Sequence, residues 1–136
     1  MMVDYDDDCD ILARTIFGEA RGEGGVGMAA VASVVLNRVA KGGWWGGTIR
    51  EACLKAGQFL CWNACDPNRP IILSVTAANP VFHRALLIAE RAVQGAFWDK
   101  TRGATRYHRD ALTPPWAKGK IPCLRIGHYL FYNNVD

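Results

Sequence analysis

The chain has no run of about 18 apolar residues, so no stretch of it reads as a helix that crosses a bilayer. Its first residues are acidic rather than a basic segment followed by an apolar one, so no signal peptide is expected. No Gly-x-x-x-x-Gly-Lys-Ser/Thr loop is present. The glycines from Gly22 to Gly27 lack both the lysine and a preceding strand, which excludes a phosphate cradle. Ser33, Thr76 and Thr105 lack the Gly-x-Ser-x-Gly context of a serine hydrolase. The last third is basic, with Arg102, Arg106, Arg109, Lys118, Lys120 and Arg125, but it carries no helix-turn-helix, RNA-recognition or zinc-finger pattern. Nucleic acid is therefore not an expected partner.

Metal-ligand spacing is also lacking. The five cysteines, Cys9, Cys53, Cys61, Cys65 and Cys123, contain no Cys-x-x-Cys pair. An odd number of cysteines without an export signal argues against a full disulfide framework. Free thiols are expected, and one bridge, Cys61–Cys65 or Cys53–Cys65, stays open. Of the three histidines, His83 falls at an exposed register of a helix, so a three-histidine zinc site with His108 and His128 is a minor alternative.

What is present bounds one domain over residues 1–136, with residues 1–9 as an acidic N-terminal extension. Half of the residues are hydrophobic, enough for a single core. The net charge of +3 is mild and suits approach to an anionic surface. Asp8 or Asp10 can cap a first helix at about 10–20, which Gly22, Gly24 and Gly25 end. A second helix, about 26–40, is apolar almost all round and should be central and buried, with Gly42-Gly43 as its stop. Trp44-Trp45-Gly46-Gly47 reads as a loop. Thr48 and Glu51 form a capping box for a short helix at about 49–56. Residues 58–62 read as a short extended piece and 66–70 as a turn. Asn79-Pro80 starts a further helix whose apolar face carries Val81, Phe82, Ala85, Leu86, Ile88, Ala89, Ala92 and Val93, and Gly95 ends it. Residues 105–108 and 128–132 have the aromatic pattern of strands, with a rigid loop at 113–116 between them. The expected class is α+β: a mainly helical body with a small antiparallel sheet.

The chemistry concentrates in LARTIFGEARGEGGVGMAAVASVVLN, residues 12–37. Glu19 and Glu23 lie four residues apart across an Arg-Gly break, beside apolar helical surface. A carboxyl walled by apolar side chains suits a general acid, because desolvation disfavours the anion. The competing reading of Glu19 is a surface glutamate paired with Arg14, Arg21 or Arg50. Glu23 is expected to cap the second helix, since the intervening glycine breaks the same-face spacing. His108 and His128 are expected in the two strands, either as core histidines or as residues that order a cleft. Trp62, Tyr107, Trp116, Tyr129 and Tyr132 are aromatics with a polar handle, suited to stacking on sugar faces. Phe131 is assigned to the core.

The segment 13–38 resembles the signature of the spore-cortex-lytic (SleB-like) cell-wall hydrolases. Four further pieces recur in that family's order: Phe59-Leu60-Cys61-Trp62, Gly103-Ala104-Thr105-Arg106-Tyr107-His108, Pro115-Trp116-Ala117, and Ile126-Gly127-His128-Tyr129-Leu130-Phe131-Tyr132. Together they span residues 11–132. Arg106 departs from the pattern, standing where the family usually carries a histidine-like polar ring, so a changed substrate contact is expected there.

The resemblance implies a lysozyme-like, lytic-transglycosylase-like fold and cleavage of the peptidoglycan glycan strand, with no cofactor. It maps the essential acid onto Glu19; Glu23, His108 and His128 are expected in support. Trp62, Tyr107, Thr105, Trp116 and Tyr129 are expected against substrate, Trp62 and Tyr107 foremost because each lies within a family motif. The alternatives are a muramidase pairing Glu19 with Glu23, Asp99 or Asp110, a non-catalytic wall-binding module, and a zinc amidase or peptidase on the three histidines. A monomer is expected, made in the cytoplasm and brought to the wall or periplasm by a phage lysis system or a virion.

Overall fold

The computed structural model describes residues 3–135. Its elements run α1 (Asp8–Ala20), α2 (Gly24–Lys41), α3 (Ile49–Leu54), α4 (Asn68–Ser74), α5 (Pro80–Val93), β1 (Arg106–Arg109), β2 (Leu124–Ile126) and β3 (Tyr129–Tyr132). Short 3-10 turns lie at Arg21–Glu23, Gly43–Trp45, Leu60–Trp62 and Pro115–Ala117.

Helices α1, α2 and α5 pack on one another and enclose the core. Ile11, Leu12 and Ile16 of α1 meet Met28, Val31, Val34 and Val35 of α2, all fully buried. Phe17 meets Phe82 of α5 edge-on at 5.5 Å. The buried face of α5 is Phe82, Ala85, Ala89 and Ala92, a three-and-four spacing, whereas Val81 and Val93 fall off that stripe and are exposed. Arg14 is completely buried. It donates to Asp10 at 3.0 Å and to the carbonyls of Ile72 and Val75 at 2.6 and 3.0 Å, so it ties α1 to the C-terminal end of α4.

Local rules account for several boundaries. Asn79 accepts from the Val81 and Phe82 amides, and the Thr48 hydroxyl accepts from the Glu51 amide. Gly42 ends α2 with a φ of 66°. Other expectations change. The first helix starts at Asp8 and its cap is Asp7, so Asp8 and Cys9 belong to the helix rather than to an extension. Gly24 and Gly25 open α2 instead of closing α1. The segment from Asn68 is helical because Asp66 accepts from the Asn68 amide at 2.8 Å and Ile72 is drawn into the core. Residues 60–62 are a 3-10 turn rather than extended.

The sheet has the order β1-β3-β2, antiparallel throughout, with Tyr107 opposite Phe131 and Leu124 opposite Phe131 on the other side. Phe131 is fully buried, as expected for it. β2 went unrecognised in the sequence because its three residues are too few to show alternation. His128 lies in the turn between β2 and β3 rather than in a strand. All five cysteine thiols are free.

Candidate active site

Glu19 occupies the last turn of α1, where the helix ends and the chain turns toward α2. The residue before it must be small. A Cβ on Gly18 would lie 2.8 Å from both Cys61 Cβ and Ile72 Cγ2, so glycine lets the 60–62 turn close onto the helix. That approach brings the Cys61 amide to Glu19 Oε2 at 3.3 Å. From the other side the Tyr107 hydroxyl of β1 donates to Glu19 Oε1 at 2.6 Å. The Tyr129 hydroxyl of β3 donates to the Glu19 main-chain carbonyl and accepts from Arg109 Nη1 at 3.3 Å. Two strands and one turn thus fix the side chain and backbone of one carboxylate. Burial first, then the neighbouring Glu19 charge, pushes the Tyr107 phenol well above its ordinary value, so it stays a donor.

Glu19 opens onto a cleft of about 580 Å³. The sheet supplies Tyr107, His108, Arg109 and Tyr129, α2 supplies Arg38, and the loops before α4 supply Gln58 and Asp66. The arginines weighed as partners of Glu19 are engaged elsewhere. Arg14 pairs with Asp10 and Arg50 with Asp6, while Arg21 donates to Asn68 and to the Phe17 and Gly18 carbonyls. A larger groove of about 860 Å³ lies between α2 and α5, walled by Leu87, Phe97 and Trp98. Its one carboxylate, Glu90, is exposed on α5, whereas Glu19 is half-buried and held by two donors, so the smaller cleft is the candidate site.

The other predicted site residues divide. His108 lines the cleft, with Nε2 against the Tyr132 hydroxyl at 2.9 Å and its ring stacked on Tyr132. Trp116 packs edge-on against His108 and Tyr132, behind the cleft wall rather than in it. Trp62 is not a cleft wall: its indole N–H donates to Thr15 of α1 at 2.9 Å, which turns the ring onto the helical core. Thr105 is buried. Its carbonyl accepts from Arg38 Nε at 2.8 Å, so it holds Arg38 instead of substrate.

Glu23 stands at the N-cap position of α2 but makes no side-chain cap bond. Its carboxylate reaches the β2–β3 turn, where the His128 amide is 3.5 Å away and a Cβ on Gly127 would overlap Oε2. Its support is therefore to that turn. The His128 ring is exposed and faces Asp110 at 3.2 Å. His83 is exposed on α5 and borders the larger groove, so the three histidines do not converge. No group of three metal-ligand side chains occurs among the described residues. Arg106 spreads over the rings of Trp45 and Trp116, at 5.1 and 5.4 Å.

Sequence reasoning missed Arg38, Gln58 and Asp66 as cleft residues. The signals were a charged residue closing an apolar helix, and a glutamine directly before the Phe59-Leu60-Cys61-Trp62 motif.

The profile of the cell wall hydrolase family matches residues 22–132, beginning three positions after Glu19. A spore cortex-lytic enzyme of Bacillus subtilis is 30% identical over 127 residues, covering 91% of this chain and 37% of that protein. One from Halalkalibacterium halodurans is 31% identical over 131 residues, covering 94% and 35%. The chain thus spans little more than a third of the length of these curated relatives. Among solved structures, the catalytic domain of the Bacillus cereus SleB protein superposes with a TM-score of 0.71 at 26% identity, covering 91% of this chain and 88% of that one. The catalytic domain of the germination-specific lytic transglycosylase SleB from Bacillus anthracis gives 0.70 at 26% identity, covering 91% and 92%. The expected α+β, mainly helical, lysozyme-like fold is the fold of those domains, and the chain belongs to the cell wall hydrolase family.

Proposed function

We propose that this chain cleaves the peptidoglycan glycan strand between N-acetylmuramic acid and N-acetylglucosamine as a lytic transglycosylase, with Glu19 as acid and then base. One observation carries the reading. Glu19 lies in the cleft held by two donors, while Glu23, Asp99 and Asp110, the carboxylates considered as its partners, do not line that cleft. In the first step Glu19 gives its proton to the bridging oxygen as the bond to the muramic C1 breaks. In the second the muramic C6 hydroxyl attacks C1 and its proton passes to Glu19. The sugar closes to a 1,6-anhydro ring, Glu19 regains its proton, and no water is consumed. One carboxylate suffices because the substrate brings the nucleophile. Proton transfers complete the cycle, so the reaction draws on no cofactor. Tyr107 binds Oε1 tightly, which leaves Oε2, with its longer contact to the Cys61 amide, as the oxygen that exchanges the proton.

A second reading rests on Asp66, which lines the same cleft. With Asp66 as base, water would be the nucleophile and the enzyme a muramidase. Mass spectrometry of fragments released from purified sacculi separates the two. The proposal expects anhydromuramic ends. Reducing muramic ends would favour the Asp66 reading, and sacculi bound but not cut would indicate a wall-binding module.

A further inference from the structure

Arg38 is a buried charge with no direct ion pair; the Glu19 carboxylate of the same cleft acts on it only at longer range. It is only 6% exposed. Nε donates to the Thr105 carbonyl at 2.8 Å and Nη1 to Gln58 Oε1 at 3.1 Å, both neutral acceptors. Its guanidinium carbon lies over the rings of Trp45 and Phe59, at 4.3 and 5.0 Å. No carboxylate stands within ion-pair distance of it among the described residues. Buried charges are ordinarily paired, and an unpaired one keeps an uncompensated desolvation cost. Burial also pushes this guanidinium down to about 10, which still leaves it charged at neutral pH.

A second observation lies beside it. Arginine has no acceptor atom, so Gln58 must turn its oxygen to Arg38. That fixes Gln58 Nε2 as a donor, and Nε2 is buried with no partner among the described residues. Both side chains line the Glu19 cleft. The cleft therefore holds a fixed cation with no carboxylate at ion-pair distance and an amide donor with no acceptor, and one carboxylate would serve both. The other cleft cations are more exposed, and Arg21 already donates to three protein oxygens.

We infer that Arg38 and Gln58 form an anion-reading subsite that takes a carboxylate carried by the bound saccharide. The inference rests on the proposed glycan substrate and adds which substituent that substrate must bear. Two carboxylates of peptidoglycan have this chemistry: the free lactyl group of muramic acid, and an acid further along a stem peptide.

The test uses the Glu19→Gln protein, which binds without turnover, and three ligands followed by titration calorimetry. They are the N-acetylglucosamine–N-acetylmuramic acid disaccharide with its lactyl carboxylate free, the same disaccharide with that carboxyl as a primary amide, and one whose lactyl group carries an alanyl-isoglutamate dipeptide. At least one acidic ligand should bind about tenfold tighter than the amide, the scale of one charge-assisted hydrogen bond. The lactyl and dipeptide arms identify which carboxylate is read. Gln58→Glu, added to the same protein, supplies Arg38 with an internal carboxylate of unchanged shape. It should keep or raise Tm and abolish the preference for the acid. Equal binding of acid and amide ligands overturns the subsite alone, as does a preference that survives Gln58→Glu. No binding of any of the three overturns the proposed substrate and the subsite with it.

Discussion

Two half-buried carboxylates show how one functional group is left open to a cleft in one region and taken up by structure in another. Asp99 lies in the loop between α5 and β1. It accepts from the Thr101 amide at 2.7 Å and hydroxyl at 2.6 Å, from the Gly103 amide at 2.9 Å and from Asn37 of α2 at 3.0 Å. Burial alone would raise its pKa, but these donors outweigh it and hold the carboxyl below its ordinary 3.8. Its oxygens are taken up by the loop. Glu19 has two donors and opens onto a cleft. A saturated carboxylate fixes a loop, whereas one held from behind and open in front can exchange a proton.

Substitution at Glu19 should break the comparison most sharply. Glu19→Gln keeps the volume but cannot carry a proton. Release of soluble fragments from sacculi should fall by at least ~10²-fold, the scale of general acid–base catalysis, with Tm held. Full activity in this variant would remove Glu19 from the chemistry.

At Asp99 the loss should be in stability instead. Asp99→Ala leaves several donors without acceptors and should cost about 1–3 kcal/mol, lowering Tm by roughly 5–15 °C, while the activity of the folded fraction is kept. The sign with pH is set by the depressed pKa. Asp99 contributes fully above about pH 4, and that contribution is lost as pH falls through the folded value. An acid titration of Tm should therefore be shallower in the Asp99→Asn variant. Equal acid slopes in variant and wild type would count against the structural role.

The part of this contrast that could be read in the sequence was local. Asn79-Pro80, the Thr48–Glu51 box and Gly42 act within a turn of their own position, and each marks a boundary where expected. Glu19 was visible because a charge at the end of an apolar stripe is unusual. The places Trp62 and Thr105 take were not legible because their partners are distant. Nothing near Trp62 reveals that its indole reaches Thr15, and Thr105 acts through its carbonyl, which no side-chain pattern shows. Glu23 has an N-cap address but leaves it for a turn some hundred residues later, a preference set by the sheet packing against the helix junction.

A smaller effect distinguishes holding the acid from binding the sugar. Tyr107→Phe removes the hydroxyl that fixes Glu19 Oε1. Turnover should fall about tenfold with KM little changed, the worth of one hydrogen bond to a charged group. A rise in KM at constant kcat would return Tyr107 to the role of a sugar contact. The smallest effect should come from the thiols. Burial pushes Cys53 up to about 12, and burial with the Glu19 charge pushes Cys61 up as well, so neither forms a thiolate readily. Melting with and without reductant should agree within about 1 °C, and a wider gap would reveal a bridge.

The central claim is that Glu19 works alone because the substrate supplies the nucleophile, and the source of the new oxygen bond tests it most directly. Sacculi digested in heavy-oxygen water should yield anhydromuramic fragments whose newly formed ends carry no label, since the C6 oxygen closes the ring. Labelled reducing ends at the muramic C1 would show that water attacks and would contradict the one-carboxylate mechanism.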